Sequence, residues 1–115
     1  MQDKNRDLYL IQKILKYCDD ILEAHTFFKK SFDEFQNNSV YRNSIALCLL
    51  QIGELSIKLS DDFKEENDNI PWRAIKGMRN IVAHEYGHVD VEILWKTSDV
   101  SVDQLRDFCK KIISQ

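Results

Sequence analysis

Arg79, His84 and Tyr86 lie within one short run, Arg79-Asn80-Ile81-Val82-Ala83-His84-Glu85-Tyr86. Arginine is a permanent cation whose planar set of N–H donors matches a phosphate. Histidine ionises closer to neutral pH than any other side chain, so it can take or give a proton there. A phosphate binder and a proton shuttle on one segment point to phosphodiester chemistry. Residues 71–88 carry Arg73, Lys76 and Arg79 against Glu85 alone, with His84 and His88 besides, so the segment is locally basic. The stretch before it is the reverse: Asp61, Asp62, Glu65, Glu66 and Asp68 outnumber Lys64. With a net charge of −3 over 115 residues, a long sequence-independent nucleic-acid groove is not expected, whereas RNA contact through a small patch is compatible with it.

Each residue also has a plainer reading. A helical histidine can cap or pack. Tyr86 can be an amphipathic aromatic at a core edge. Arg73 and Lys76 can form a solvated face, and Asn80 in mid-helix wants a hydrogen-bond partner. No rival pattern competes. His84 and His88 have a metal-ligand spacing, but Gly87 between them is a helix breaker, so no metal is expected. There is no glycine-rich phosphate loop. Gly53 stands alone in a helical stretch and reads as a site of close packing, and Glu23 and Glu54 as polar contacts. Cys18, Cys48 and Cys109 are far apart among apolar residues, which fits reduced, packed thiols.

The elements that must position these groups are helical. Glycine and proline are scarce, at three and one. Leu8, Ile11, Leu15, Cys18 and Leu22 recur in steps of three and four, widened by Ile14 and Ile21, which predicts a first helix over Lys4–His25 and as far as Lys29. Phe27, Phe28, Phe32 and Phe35 anchor the connection that follows. Tyr41, Ile45, Cys48, Ile52, Leu55 and Leu59 mark a second helix, capped by Asn38 or Ser39 and ending near Ser60. The acidic stretch after it reads as a solvated loop. A third helix starts with Asn69 as cap, Ile70 as staple and Pro71 in the first turn, and ends at a left-handed Gly87. Val91, Leu94 and Trp95 open a fourth segment, a break falls at Thr97-Ser98-Asp99, and Val102, Leu105, Cys109 and Ile112 form a last stripe. The expected architecture is all-α, a four- to five-helix up-down bundle forming a single domain over residues 1–115. No apolar run is long enough to span a bilayer, and the polar N-terminus has no signal-peptide core, so a cytoplasmic protein without membrane association is expected.

On an ideal helix Arg79 and Tyr86 share a face, while Arg79 and His84 stand about 140° apart. Two arrangements reconcile this. The helix unwinds at residues 83–87 and brings His84 round, or a second subunit completes the site across a two-fold axis; the dimer is favoured.

The segment Pro71-Trp72-Arg73-Ala74-Ile75-Lys76-Gly77-Met78 followed by Arg79 to Tyr86 resembles the signature of the HepT-like branch of the HEPN superfamily. Tyr41-Arg42, Ile52-Gly53-Glu54, Asp90 and Trp95 extend the likeness to roughly residues 5–113. The resemblance implies a homodimeric helical bundle and a metal-independent endoribonuclease that needs no cofactor, with tRNA a common target class. It implies a toxin held in check by a small nucleotidyltransferase antitoxin, which transfers AMP to the motif tyrosine, here Tyr86. In that picture Arg79 and His84 are catalytic, Asn80 orients the phosphate or the histidine, and Arg73, Lys76 and His88 contact RNA. The competing class is a HEPN module that binds nucleotides or partners a nucleotidyltransferase without cutting RNA.

Overall fold

Ile11, Ile14, Cys18, Ile21 and His25 are all buried, in helical steps that define the inner face of the first helix. In a computed structural model, which describes residues 2–115, this helix is α1 (Gln2–Phe27). Leu8 and Leu22, which the sequence placed on the central stripe, are exposed; the residues that only widened it form its centre. The chain continues through α2 (Phe32–Asn37), α3 (Ser39–Ile57), α4 (Asp61–Glu66), α5 (Trp72–Glu85), a 3₁₀ turn (Tyr86–His88), α6 (Val91–Lys96), a π-helical turn (Thr97–Ser101) and α7 (Val102–Ile113). No strand occurs among the described residues. None of the helices is long and apolar enough to cross a membrane.

The four longer helices run alternately up and down. Asp7 meets Ser60 at one end of α1 and α3, and His25 meets Tyr41 at the other, so the pair is antiparallel. Arg106 Nε donates to Asp19 Oδ1 at 2.6 Å, joining α7 to α1. α5 also packs along α3 and runs antiparallel to it, with Arg79 at Gly53 and Tyr86 at Asn43. The core cluster takes Ile14, Cys18 and Ile21 from α1, Ile45, Leu49 and Ile52 from α3, Val82 from α5 and Leu105 and Cys109 from α7. Burial pushes the Cys109 thiol up to about 12, and drives Cys18 higher still, so both are inert packing residues.

Several local expectations change. The acidic stretch is not a loop: it forms α4, because the Ser60 hydroxyl accepts from the Phe63 N–H and buried Asp7 accepts from both the N–H and hydroxyl of Ser60. Asn38, one of the two anticipated caps, accepts from the N–H groups of Val40 and Tyr41. Asn69 does not cap α5; Pro71 occupies the N-cap without a side-chain bond. Gly87 is not left-handed, since the chain tightens into a 3₁₀ turn there. The left-handed residues are Lys29 and Lys30, whose N–H groups close the end of α1 on the carbonyls of Thr26 and His25. Of the four phenylalanines, Phe35 is buried and Phe28 and Phe32 pack on the core, but Phe27 is 77% exposed. Thr97-Ser98-Asp99 is no break but part of the π-turn.

That turn completes a polar network. Ser98 Oγ donates to the Trp95 carbonyl at 2.8 Å, so it accepts from His25 Nε2 at 3.0 Å. The Tyr41 hydroxyl then donates to His25 Nδ1. Burial first, and Lys30 second, hold the His25 pKa below its ordinary value, and burial pushes the Tyr41 phenol up to about 12.

Candidate active site

Trp72 sets the start of α5. Its indole N–H donates to the Asn67 carbonyl at 3.0 Å, and its ring meets Phe63 and Phe108. Ile75 and Met78 then pack on the core and Val82 is buried, which fixes the rotation of α5 about its axis. With that rotation Arg79 faces α3. A Cβ built on Gly53 would lie 2.2 Å from the Arg79 Cβ and 2.8 Å from its Cγ. Gly53 is therefore what lets the two helices approach, as the sequence suggested for a lone glycine in a helix.

The arginine stem lies across Gly53, and its head is held at two points. Nε donates to Glu54 Oε1, and Nη1 donates to Asn80 Oδ1 at 2.8 Å. The side chain is 27% exposed, so its remaining N–H groups face water. Seven residues on, Tyr86 is half-buried and its hydroxyl donates to Asn43 Oδ1. Arg79 and Tyr86 thus share the face of α5 that meets α3, as their spacing predicted. His84 is exposed, and its imidazole has no hydrogen-bond partner among the described residues. α5 is regular through Glu85 and tightens only over Tyr86–His88. Unwinding does not bring His84 round: the helix keeps it about 140° from Arg79.

Arg73 and Lys76 are exposed beside Lys64 at a hollow of about 260 Å³ near the start of α5. His88 lies past the other end of α5, on the order of 20 Å away along the axis. The three candidate RNA contacts are therefore not one cluster. A mostly apolar cleft of about 500 Å³ is lined by Ile52, Ile70, Met78, Leu105 and Phe108, and takes in none of Arg79, His84 and Tyr86. Among the described residues no three His, Cys, Asp or Glu side chains converge as metal ligands would.

Sequence reasoning missed Asn43 and the joining of Glu54 to Arg79. A signal existed: the two are eleven residues apart, about three helical turns, so they share a face of α3 just as Arg79 and Tyr86 share a face of α5. Nothing in the sequence set the register between the helices except Gly53.

The molecule is an antiparallel helical bundle that carries an arginine and a histidine along its third long helix and a tyrosine just past the end of that helix. A family model described as ribonuclease HepT-like matches residues 14–112. The chain belongs to that family, and ribonuclease is its enzyme class. A protein of Methanocaldococcus jannaschii named "Putative RNase" is 36% identical over 95 residues, covering 81% of this chain and 84% of its own. A second of the same name and organism is 33% identical over 102 residues, covering 87% and 81%. One of Thermococcus cleftensis named "Probable ribonuclease HepT" is 32% identical over 101 residues, covering 84% and 92%. No solved structure matches the chain significantly.

Proposed function

We propose that the protein is a metal-independent endoribonuclease that cuts RNA at a site built on Arg79 and His84, and that it is the toxin of a toxin–antitoxin pair. The observation that carries the reading is the condition of those two side chains. Arg79 is preset by Glu54 and Asn80 with N–H groups left over, and His84 is exposed and unpartnered on the same helix. RNA brings its own nucleophile. His84 takes the proton of the 2′-hydroxyl, the 2′-oxygen attacks phosphorus, and the bond to the 5′-oxygen breaks as that oxygen takes a proton from water. Arg79 stabilises the charge on the phosphate oxygens during the transfer, and Asn80 orients the phosphate. The products are a cyclic phosphate and a 5′-hydroxyl, with no step that calls on a metal. Arg73, Lys76 and His88 contact the RNA on either side.

Because α5 keeps Arg79 and His84 on different sides, the working unit is a homodimer in which the motifs of two copies face one cleft. Tyr86 regulates rather than reacts, since a phenol is a poor proton shuttle at neutral pH. A nucleotidyltransferase antitoxin transfers AMP from ATP to its hydroxyl: the phenol oxygen bonds to the α-phosphorus, pyrophosphate leaves and the phenol proton is lost to solvent. The new phosphodiester pairs with Arg79, and the nucleotide fills the space that the RNA phosphate needs.

The test is RNA cleavage in a chelator. Cleavage by the wild type that persists in the chelator and is lost in His84→Ala supports the reading; a requirement for added magnesium sinks it. Tyr86→Phe is expected to cut RNA and to escape modification when incubated with ATP and the antitoxin, followed by intact mass. Light scattering that finds only 13.6 kDa at micromolar concentration removes the dimer. Binding of nucleotide without any cleavage favours a non-catalytic module that binds nucleotides or partners a nucleotidyltransferase.

A further inference from the structure

We infer that Glu54 is the positioning residue of the ribonuclease site: it aims the Arg79 guanidinium at the scissile phosphate. The inference rests on the assignment of Arg79 as the phosphate binder. Arginine has four side-chain torsions, and a stem packed against a neighbour fixes only the inner ones. Here the neighbour is Gly53, so close that its missing Cβ would collide with Arg79 Cβ and Cγ. The outer torsions are set by the head's own bonds. Asn80 is adjacent in sequence on the same helix and exposed, so it moves with Arg79 and cannot tie the head to the rest of the fold. Glu54 can, because it stands on α3 next to the glycine that sets the helix spacing.

The choice of atom matters. Glu54 takes Nε, the innermost N–H, and leaves N–H groups on both terminal nitrogens free for phosphate oxygens. A carboxylate that engaged the terminal pair would block the site; one on Nε orients it. Gly53 and Glu54 thus act together, the first seating the stem and the second turning the head. Such presetting lowers the cost of reaching the transition state without adding a contact to it.

The experiment compares Glu54→Gln, Glu54→Ala and Glu54→Asp in steady-state RNA cleavage, with Arg79→Ala as reference and with the Arg79 Nε–H followed by nitrogen-edited NMR. Glutamine keeps the acceptor oxygen, so its kcat is expected within about threefold of wild type. Alanine removes the acceptor, and aspartate keeps the charge but is one methylene too short to reach Nε. Both are expected to lose about 10- to 100-fold in kcat with little change in KM, and to lose the sharp Nε–H signal. Adding Glu54→Ala to Arg79→Ala should cost nothing more. Should the alanine variant melt early, the aspartate variant carries the same expectation. If Glu54→Ala and Glu54→Asp cut at the wild-type rate or faster while Arg79→Ala is dead, Glu54 is not a positioning residue and the Arg79 assignment stands. Full activity in Arg79→Ala brings down that assignment and this proposal together.

Discussion

His25 and His84 are the same side chain under opposite conditions. His25 is 3% exposed, with both ring nitrogens bonded, to Tyr41 and Ser98, and the rings of Tyr41 and Trp95 meet it edge-on. His84 is exposed with neither nitrogen bonded to a described residue. The first has its protonation state chosen by the fold, because burial and Lys30 oppose a positive ring. The second stands open to solvent on the surface of α5. A buried histidine with every bond made is a structural part; the exposed one has no such bonds to hold it.

The widest separation between the two should come from substitution. His84→Ala is expected to lower RNA cleavage by about 10²- to 10⁴-fold while the melting temperature stays within a degree or two. His25→Ala should do the reverse. It strands the Tyr41 hydroxyl and the acceptor side of Ser98 and is expected to cost about 2–4 kcal/mol of stability, read from a denaturant midpoint, with cleavage per folded molecule unchanged. If His25→Ala removes activity in a fully folded protein, the division of labour between the two histidines is wrong.

Gly53→Ala probes the junction between the regions. The added methyl meets Arg79 at its Cβ and Cγ, with the Cα 3.4 Å away, so α5 itself must shift rather than a flexible tip. A loss of about 1–3 kcal/mol is expected, together with reduced cleavage, because the same contact packs the helix and seats the arginine.

The smallest effect is in pH. The folded-state pKa of His25 lies below its ordinary 6.5, so below that value the unfolded chain binds the proton more readily than the native protein. The stability that His25 contributes is present above about pH 6.5 and is lost as pH falls toward the lowered folded value. Lys30 works against protonation, and Asp99 and Asp103 work for it. In His25→Gln, whose amide retains a donor and an acceptor, the acid side of the stability curve should flatten. A slope identical to wild type would show that other groups dominate.

How much of this was readable in advance follows from where the information sits. α5 was legible because Ile75, Met78 and Val82 carry its period, and Arg79 and Tyr86 keep their common side because the 3₁₀ turn follows α5 directly. The partners that hold them were not, since Glu54 and Asn43 stand on α3 and pairing across helices depends on a register that periodicity does not contain. The end of α1 at Phe27 falls within the expected span, but its closure was not legible, because lysine, not glycine, takes the left-handed positions there, with Lys30 tied to Asp99 at 2.6 Å. The acidic stretch looked like a loop because charge outweighed its cap, and the cap works only once Asp7 arrives from the far end of the sequence.

The π-turn solves a problem of phase. Leu94, Ser98 and Val102 are all buried, each four residues from the next. At 100° per residue, two steps of four overrun two full turns by about 80°, enough to carry Val102 off the face that Leu94 occupies. Widening one turn, so that the Val102 N–H reaches back to the Thr97 carbonyl, absorbs the excess. The chain there behaves as a helix with one residue inserted. Deleting a single residue between 97 and 101 would leave an unbroken rod but spin α7 by about 100°, taking Leu105 and Cys109 out of the core and Arg106 away from Asp19. α7 holds its place on α1 by virtue of one residue too many just before it.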